Sequence, residues 1–334
     1  RGGNAAAVGG GHGGNGGNAT STGLGYCDIT NINTIGSGGG GNSSNGGAGG
    51  GLILLSTTGT ITINGTISAN GATGDNNSSA GGSGGGIKIT AGVISGTPTI
   101  FSSFGGNAKT VSGITGGSGG GGCVNIFYNT SNVISATSSY FSVNGGTTAV
   151  RGSGGMALIK QTGINNGGLY VLNSGFATTS ITQPSSTVPA ITADFIYVSS
   201  TIFQITSTQT LTLVNSNPFS GNGLGEIRVY GRMMKSVDGF TGINSTTLTI
   251  EPGGSVVVSS TFTVNSLLNL YRGFVAIATN TFTNLVLQSG TTTLYDYNTT
   301  TAPLSVTNLT MNSSSVLTSA TNTTAQANIL YVAA

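Results

Sequence analysis

Side chains able to do acid–base, nucleophilic or metal chemistry are few in this chain of 334 residues, which holds seven carboxylates, one histidine and two cysteines. Polysaccharide cleavage needs two or three carboxylates, or carboxylates with a base, converging on one face. Of Asp28, Asp75, Asp194, Glu226, Asp238, Glu251 and Asp296, only Glu226 and Glu251 suggest a pair, spaced by about one coil of a repeat and near Arg228, Arg232 and Lys235. That cluster is the densest charge in the chain and reads more simply as a surface salt-bridge patch. No catalytic residue is assigned, and the chain is read as not an enzyme.

Metal and cofactor chemistry finds as little support. His12 is the sole histidine, so a histidine-based zinc or copper site within one chain is not expected. The glycine blocks carry Ser, Ala or Asn where a calcium-binding β-roll needs Asp. No glycine block leads into Lys-Ser or Lys-Thr at the start of a helix, which removes the phosphate-loop reading. Cofactors and metals are therefore read as none. Cys27 and Cys123 permit one disulfide in an oxidising compartment, with two buried thiols as the alternative.

Charge excludes further classes. Nine basic and seven acidic residues leave a net charge of +2, too little for a phosphate-neutralising stripe, so nucleic acid is not expected as a partner. No apolar run approaches the roughly 18 residues of a membrane span. The surface reads as hydroxyl and amide, with little repulsion between copies. The chain opens on Arg1 without a signal segment and is read as a piece of a longer precursor.

The elements that must position these residues are repeats. All but eleven of the 60 glycines precede position 170, in blocks that recur about every 35 residues when Ala48, Ser83, Ser118 and Ser153 are aligned. Between the blocks lie strand-length stretches such as Leu52-Ile53-Leu54-Leu55, Thr60-Ile61-Thr62-Ile63 and Ile87-Lys88-Ile89-Thr90, with Asn-Gly turns at Asn64-Gly65 and Asn70-Gly71. A fixed period favours ordered glycine rows, polyproline-II-like or tightly turned, over flexible linkers. The densest stretch, Gly9 to Gly17 with His12 and Asn15 inside it, is expected to be the most mobile. After residue 167 the pattern becomes Thr alternating with an apolar residue, as in Thr210-Leu211-Thr212-Leu213 and Thr261-Phe262-Thr263-Val264. Two regions result, a glycine-rich one over 1–167 and a Thr-rich one over 168–334, with Pro184 and Pro189 marking a junction. The fold class is all-β, and the repeats select a right-handed parallel β-helix, a solenoid of roughly 20–25 residues per coil.

The run Thr60–Ala72, followed by Gly81-Gly82-Ser83-Gly84-Gly85-Gly86-Ile87-Lys88-Ile89, resembles the glycine-rich repeats of large secreted prokaryotic surface proteins. Thr281-Phe282-Thr283-Asn284-Leu285-Val286-Leu287 and Leu304–Asn312 resemble coils of adhesin-type and autotransporter-type β-helices, including the filamentous-haemagglutinin kind. The glycine blocks are also similar, less closely, to the polyglycine bundles of some phage tail-tip adhesins. The resemblance implies a β-helix at the cell surface or outside the cell, and no catalytic residues.

The function expected from these features is that of an extracellular structural protein that self-assembles into a fibre, sheath or surface layer. Its partners are copies of itself, joined head to tail. The segment Ile329-Leu330-Tyr331-Val332 reads as an assembly strand without a polar cap. The alternative is an adhesin shaft that recognises surface glycans through aromatics such as Tyr295 and Tyr297. A polysaccharide-active enzyme using Glu226 and Glu251 ranks third.

Overall fold

A computed structural model describes residues 8–17, 23–41, 45–75, 79–111, 114–134, 138–148, 150–173, 181–215, 218–235, 240–243, 246–251, 254–258, 261–264, 268–271, 281–295, 304–320 and 332–333. Among the described residues the only helical element is a single 3-10 turn at Ser138–Tyr140. The chain is all-β and its strands pair mostly in parallel. Exceptions are Gly155–Gln161 against Gly168–Leu172 and the short pair Thr110–Val111 with Ile114–Thr115. The chain divides into two compact units, Arg1–Val188 with Ser199–Phe203, and Pro189–Val198 with Gln204–Ala334.

In the first unit each repeat contributes one strand to a parallel ladder. Leu52 pairs with Gly86, Gly86 with Cys123, and Cys123 with Met156, so each strand meets the one that follows the next glycine block. The ladder and the glycine blocks therefore advance by the same step. Register then stacks like on like. Ile87 lies beside Val124 and Val124 beside Ala157, while Ile89, Ile126 and Ile159 form the next column, all buried. Each such aliphatic side chain removed from water contributes about 1.5–3 kcal/mol, which a single repeat could not gain alone.

The glycine blocks are ordered rows, and their hydrogen bonds repeat every third residue. Gly81 and Gly84 donate to Gly117 and Gly120, at 3.0 and 2.9 Å. Gly82 and Gly85 donate to Ala72 and Ala69, at 3.0 and 2.8 Å, and Ser83 donates to Ser37 at 2.9 Å. Three successive residues thus address three different neighbours, which is the period of a polyproline-II chain. Such rows lie too close for side chains. A Cβ at Gly84 would fall on the carbonyl oxygen of Ser103, and one at Gly85 on that of Gly51.

The single serine inside each later block ties the rows together. The Ser83 hydroxyl accepts from the Ser37 amide at 2.8 Å, and Ser118 accepts from Ala108 at 3.1 Å while donating to the Thr148 carbonyl at 2.5 Å. The Ser153 hydroxyl meets those of Thr182 and Thr201, at 2.6 and 2.9 Å. All three serines are buried, whereas Ala48, their counterpart in the first block, is exposed. A buried position needs the hydroxyl to satisfy neighbouring backbone or hydroxyl groups; an exposed one can use water.

The second unit has shorter steps. Ala190 pairs with Thr210, Thr210 with Arg232, and Arg232 with Ser255. Elsewhere Gly225 pairs with Thr246, Leu248 with Leu268, Thr261 with Asn284 and Thr281 with Ser305. Every one of these offsets is roughly 20–24 residues, the length of one turn in a short-repeat solenoid. Within a strand burial alternates. In Thr210–Leu213 the leucines are buried and the threonines half-buried, and Leu211 stacks between Ile191 and Met233. Alternating burial along a strand is what a period-two apolar pattern produces.

Candidate functional site

In the first unit both cysteines converge on His12. Its row, Val8 to Gly17, is buried throughout, contrary to the mobility expected of so many glycines. The physical reason is the lattice: Gly10 donates to Gly81 at 3.0 Å and Gly13 to Gly121 at 2.9 Å, so the row is held by the repeats it crosses. The chain then returns past His12, whose carbonyl accepts from the amides of Tyr26 and Cys27 at 2.7 and 3.0 Å. Cys123 opens the strand Cys123–Asn132 between Gly86 and Met156. Cys27 and Cys123, both fully buried, are joined as a disulfide across 96 residues of sequence.

His12 itself sits against this disulfide. One of its ring nitrogens and the two sulfurs all lie within 4.8 Å of one another. Nε2 is 2.9 Å from the Thr34 hydroxyl, and the Tyr26 ring meets the imidazole edge-on at 5.1 Å between centroids. Burial pushes the imidazole pKa down to about 4, partly opposed by the nearby Gly85 backbone, so the ring is neutral at neutral pH. Nδ1 has no hydrogen-bond partner, and neither does the amide of the fully buried Asn125. Sequence reasoning sets His12 aside as a lone histidine and weighs no mixed histidine–cysteine set. The available signal is a bulky ring interrupting a block of glycines.

Next to this cluster lies an open groove of about 470 Å³, lined among others by Tyr26, Asp28, Asn33, Thr34, Gln183 and Thr187. Its polar lining is hydroxyl, amide and one carboxylate, with Leu24 among the apolar part. Tyr26 is oriented by donating its hydroxyl to the Ile35 carbonyl at 2.6 Å, and Asp28 is held by the Thr30 and Asn31 amides at 2.8 and 3.0 Å.

Compared with protein-family models, curated proteins and solved structures, the chain matches none. No residue role is therefore carried over from a relative.

In the second unit Glu226 and Glu251 do come together, bridged by one cation. Arg228 donates to both oxygens of Glu226, at 3.1 and 2.9 Å, and its Nε lies 3.5 Å from Glu251. Partial burial raises the Glu251 pKa, with the Arg228 charge acting the other way. Both carboxylates are thus engaged by a guanidinium, the arrangement of a salt-bridge patch. Arg232 points outward, exposed.

Strand edges form the remaining candidate surface. Val332 pairs in parallel with Leu304, and Ala333 with Ser305, while Ile329, Leu330 and Tyr331 lie outside the described residues, as does Tyr297. Tyr295 ends the strand Thr281–Tyr295, in register with Tyr271 and Ala320. The 17-residue strand Leu304–Ala320 is paired with Thr281–Tyr295 along one edge. From Val306 onward no strand among the described residues pairs with its other edge. Leu309, Met311 and Val316 on it are 38, 46 and 53% exposed. In the first unit Leu52–Ser56 and Thr60–Ser68 both pair with Gly86–Ser102 and, among the described residues, with no other strand. Leu54 is 55% exposed there.

Proposed function

We propose that this chain is a non-enzymatic extracellular structural protein, a right-handed parallel β-helix whose copies join head to tail into a fibre, sheath or surface layer. The observation that carries the reading is the pair of open parallel edges. Leu304–Ala320 spans 17 residues, and the first-unit edge from Leu52 to Ser68 has the same span. An unpaired strand edge with exposed leucine, methionine and valine on it is a template for another strand. Addition of the Leu304–Ala320 edge of one copy to the Leu52–Ser68 edge of the next is head-to-tail, the mode of addition that extends into a filament when it does not close into a ring. The near-constant step between stacked strands in the second unit supports the coiled form of the fold. The Cys27–Cys123 disulfide suits an oxidising compartment.

The test is assembly of the purified chain, followed by light scattering and negative-stain imaging. Filaments should form with rising concentration, and the double variant Leu309→Lys, Val316→Lys should suppress them, because two charges on the edge oppose pairing. A wild-type chain that stays monomeric at high concentration refutes the reading.

A second reading, recognition of surface glycans, is favoured by the groove around Tyr26, whose hydroxyl, amide and carboxylate lining suits a sugar. A glycan array with Tyr26→Ala as comparison distinguishes it from assembly. The third reading, a polysaccharide-cleaving enzyme, requires that Glu226→Gln or Glu251→Gln abolish a measurable cleavage.

A further inference from the structure

We propose that in the reduced protein His12, Cys27 and Cys123 form a buried site for a thiophilic d10 cation, with Zn2+ as the ion of choice. The joint between the amino-terminal row and the repeat ladder is then closed by a disulfide when oxidised and by a metal when reduced. This stands independently of whether copies assemble.

Geometry supplies the first support. A ring nitrogen and two sulfurs lie within 4.8 Å of one another, so once the S–S bond is broken one ion is surrounded by the sulfurs parting and the nitrogen moving in. Zinc bonds of about 2.0–2.3 Å in tetrahedral geometry place ligand atoms roughly 3.3–3.8 Å apart. The second support is the imidazole. Nε2 is held by the Thr34 hydroxyl at 2.9 Å, while Nδ1 is buried with no hydrogen-bond partner. With Nε2–H donating to Thr34, Nδ1 presents a bare lone pair. That is the arrangement of a metal-bound histidine, where the outer hydrogen bond fixes tautomer and ring orientation.

Charge selects the ion. Two thiolates and a neutral imidazole around Zn2+ sum to zero, which a fully buried site tolerates; around Cu+ they leave a buried negative charge. Asn125, two residues beyond Cys123 on the same strand face, carries a buried side-chain amide without a hydrogen-bond partner.

The chemistry balances with a water-soluble phosphine as reductant. The S–S bond breaks, the phosphine becomes its oxide with the oxygen of water, and the two hydrogens of that water end on the two sulfurs. Zn2+ then displaces one proton from each thiol into solvent.

To test it, the full chain is reduced anaerobically, freed of phosphine and titrated with Zn2+ against a chromophoric chelator. Co2+ serves as a parallel probe, read by sulfur-to-metal charge-transfer absorption. One ion per chain is expected in the reduced protein and none in the oxidised one. His12→Ala should weaken binding at least tenfold, and Cys27→Ser should abolish the charge-transfer band. Near-UV circular dichroism of oxidised His12→Ala, matching the wild type, shows that the variant folds. If reduction loosens the fold, Zn2+ should restore the dichroism. The proposal is overturned if the reduced chain takes up no Zn2+, if His12→Ala binds as tightly as wild type, or if a loosened fold is not restored.

Discussion

Replacing Gly84 by alanine is the sharpest probe of the glycine rows, because the two ways a glycine block can behave predict different signs. The added Cβ falls on the Ser103 carbonyl oxygen, with the Gly122 amide nitrogen 2.7 Å away. Both obstacles are backbone atoms within the lattice, so no side chain can swing aside. Overpacking of this kind costs about 1–3 kcal/mol, and parting the rows also weakens the Gly84–Gly120 and Gly122–Ser103 hydrogen bonds, each worth about 1 kcal/mol net. Together these come to about 3–5 kcal/mol. For a unit of this size that lowers the melting temperature by about 10 °C. Gly51→Ala is the matched control, since a Cβ there meets nothing within 4 Å. The assay is thermal unfolding of both variants with hydrogen exchange of the row amides. In a flexible spacer alanine would be neutral or slightly stabilising, through the unfolded state. Equal behaviour of Gly84→Ala and Gly51→Ala, with fast exchange in both, would refute close packing of the rows.

Three other perturbations follow from the buried polar groups. The folded-state pKa of His12, lowered from 6.5 to about 4, means the unfolded chain binds more protons between those values. Its contribution of about 3 kcal/mol is therefore fully present above pH 6.5 and lost as pH falls towards 4; denaturation at several pH values should show this slope in the oxidised wild type and lack it in His12→Ala. Removing the disulfide by Cys27→Ser releases a loop of 96 residues' separation and should cost about 2–5 kcal/mol, measured by denaturant unfolding. Ser153→Ala strips a buried hydroxyl from those of Thr182 and Thr201 and should cost about 1–2 kcal/mol by the same measurement, more than Ala48→Ser changes at the exposed counterpart.

The strand-rich, mostly parallel character of the chain was legible because period-two alternation in stretches such as Thr210–Leu213 survives unchanged in the burial of the folded strands. Order in the glycine blocks was legible from their period alone. Its form was not, because a run of identical residues carries no mark of which third residue faces which neighbour. The same blindness misjudged Gly9 to Gly17. Glycine content gave mobility, whereas donors such as Gly10 and Gly13 find acceptors on rows two and three blocks further along the chain, at Gly81 and Gly121. His12 was missed for a related reason. Its partners are near it only after the amino-terminal row has crossed the ladder, and a lone histidine in sequence says nothing about two distant sulfurs. For Glu226 and Glu251 the spacing did indicate proximity, but the residue that governs their chemistry, Arg228, acts through a geometry that spacing alone does not contain.

The rows braced every third residue bear on how the protein is degraded. A protease takes its substrate as a peeled-out extended segment and grips it by a side chain, and these tracts offer neither a loose segment nor a handle. The stretch with the fewest chemical features in the whole chain, which as a tether would be the first to be cut, becomes the part that digestion leaves for last.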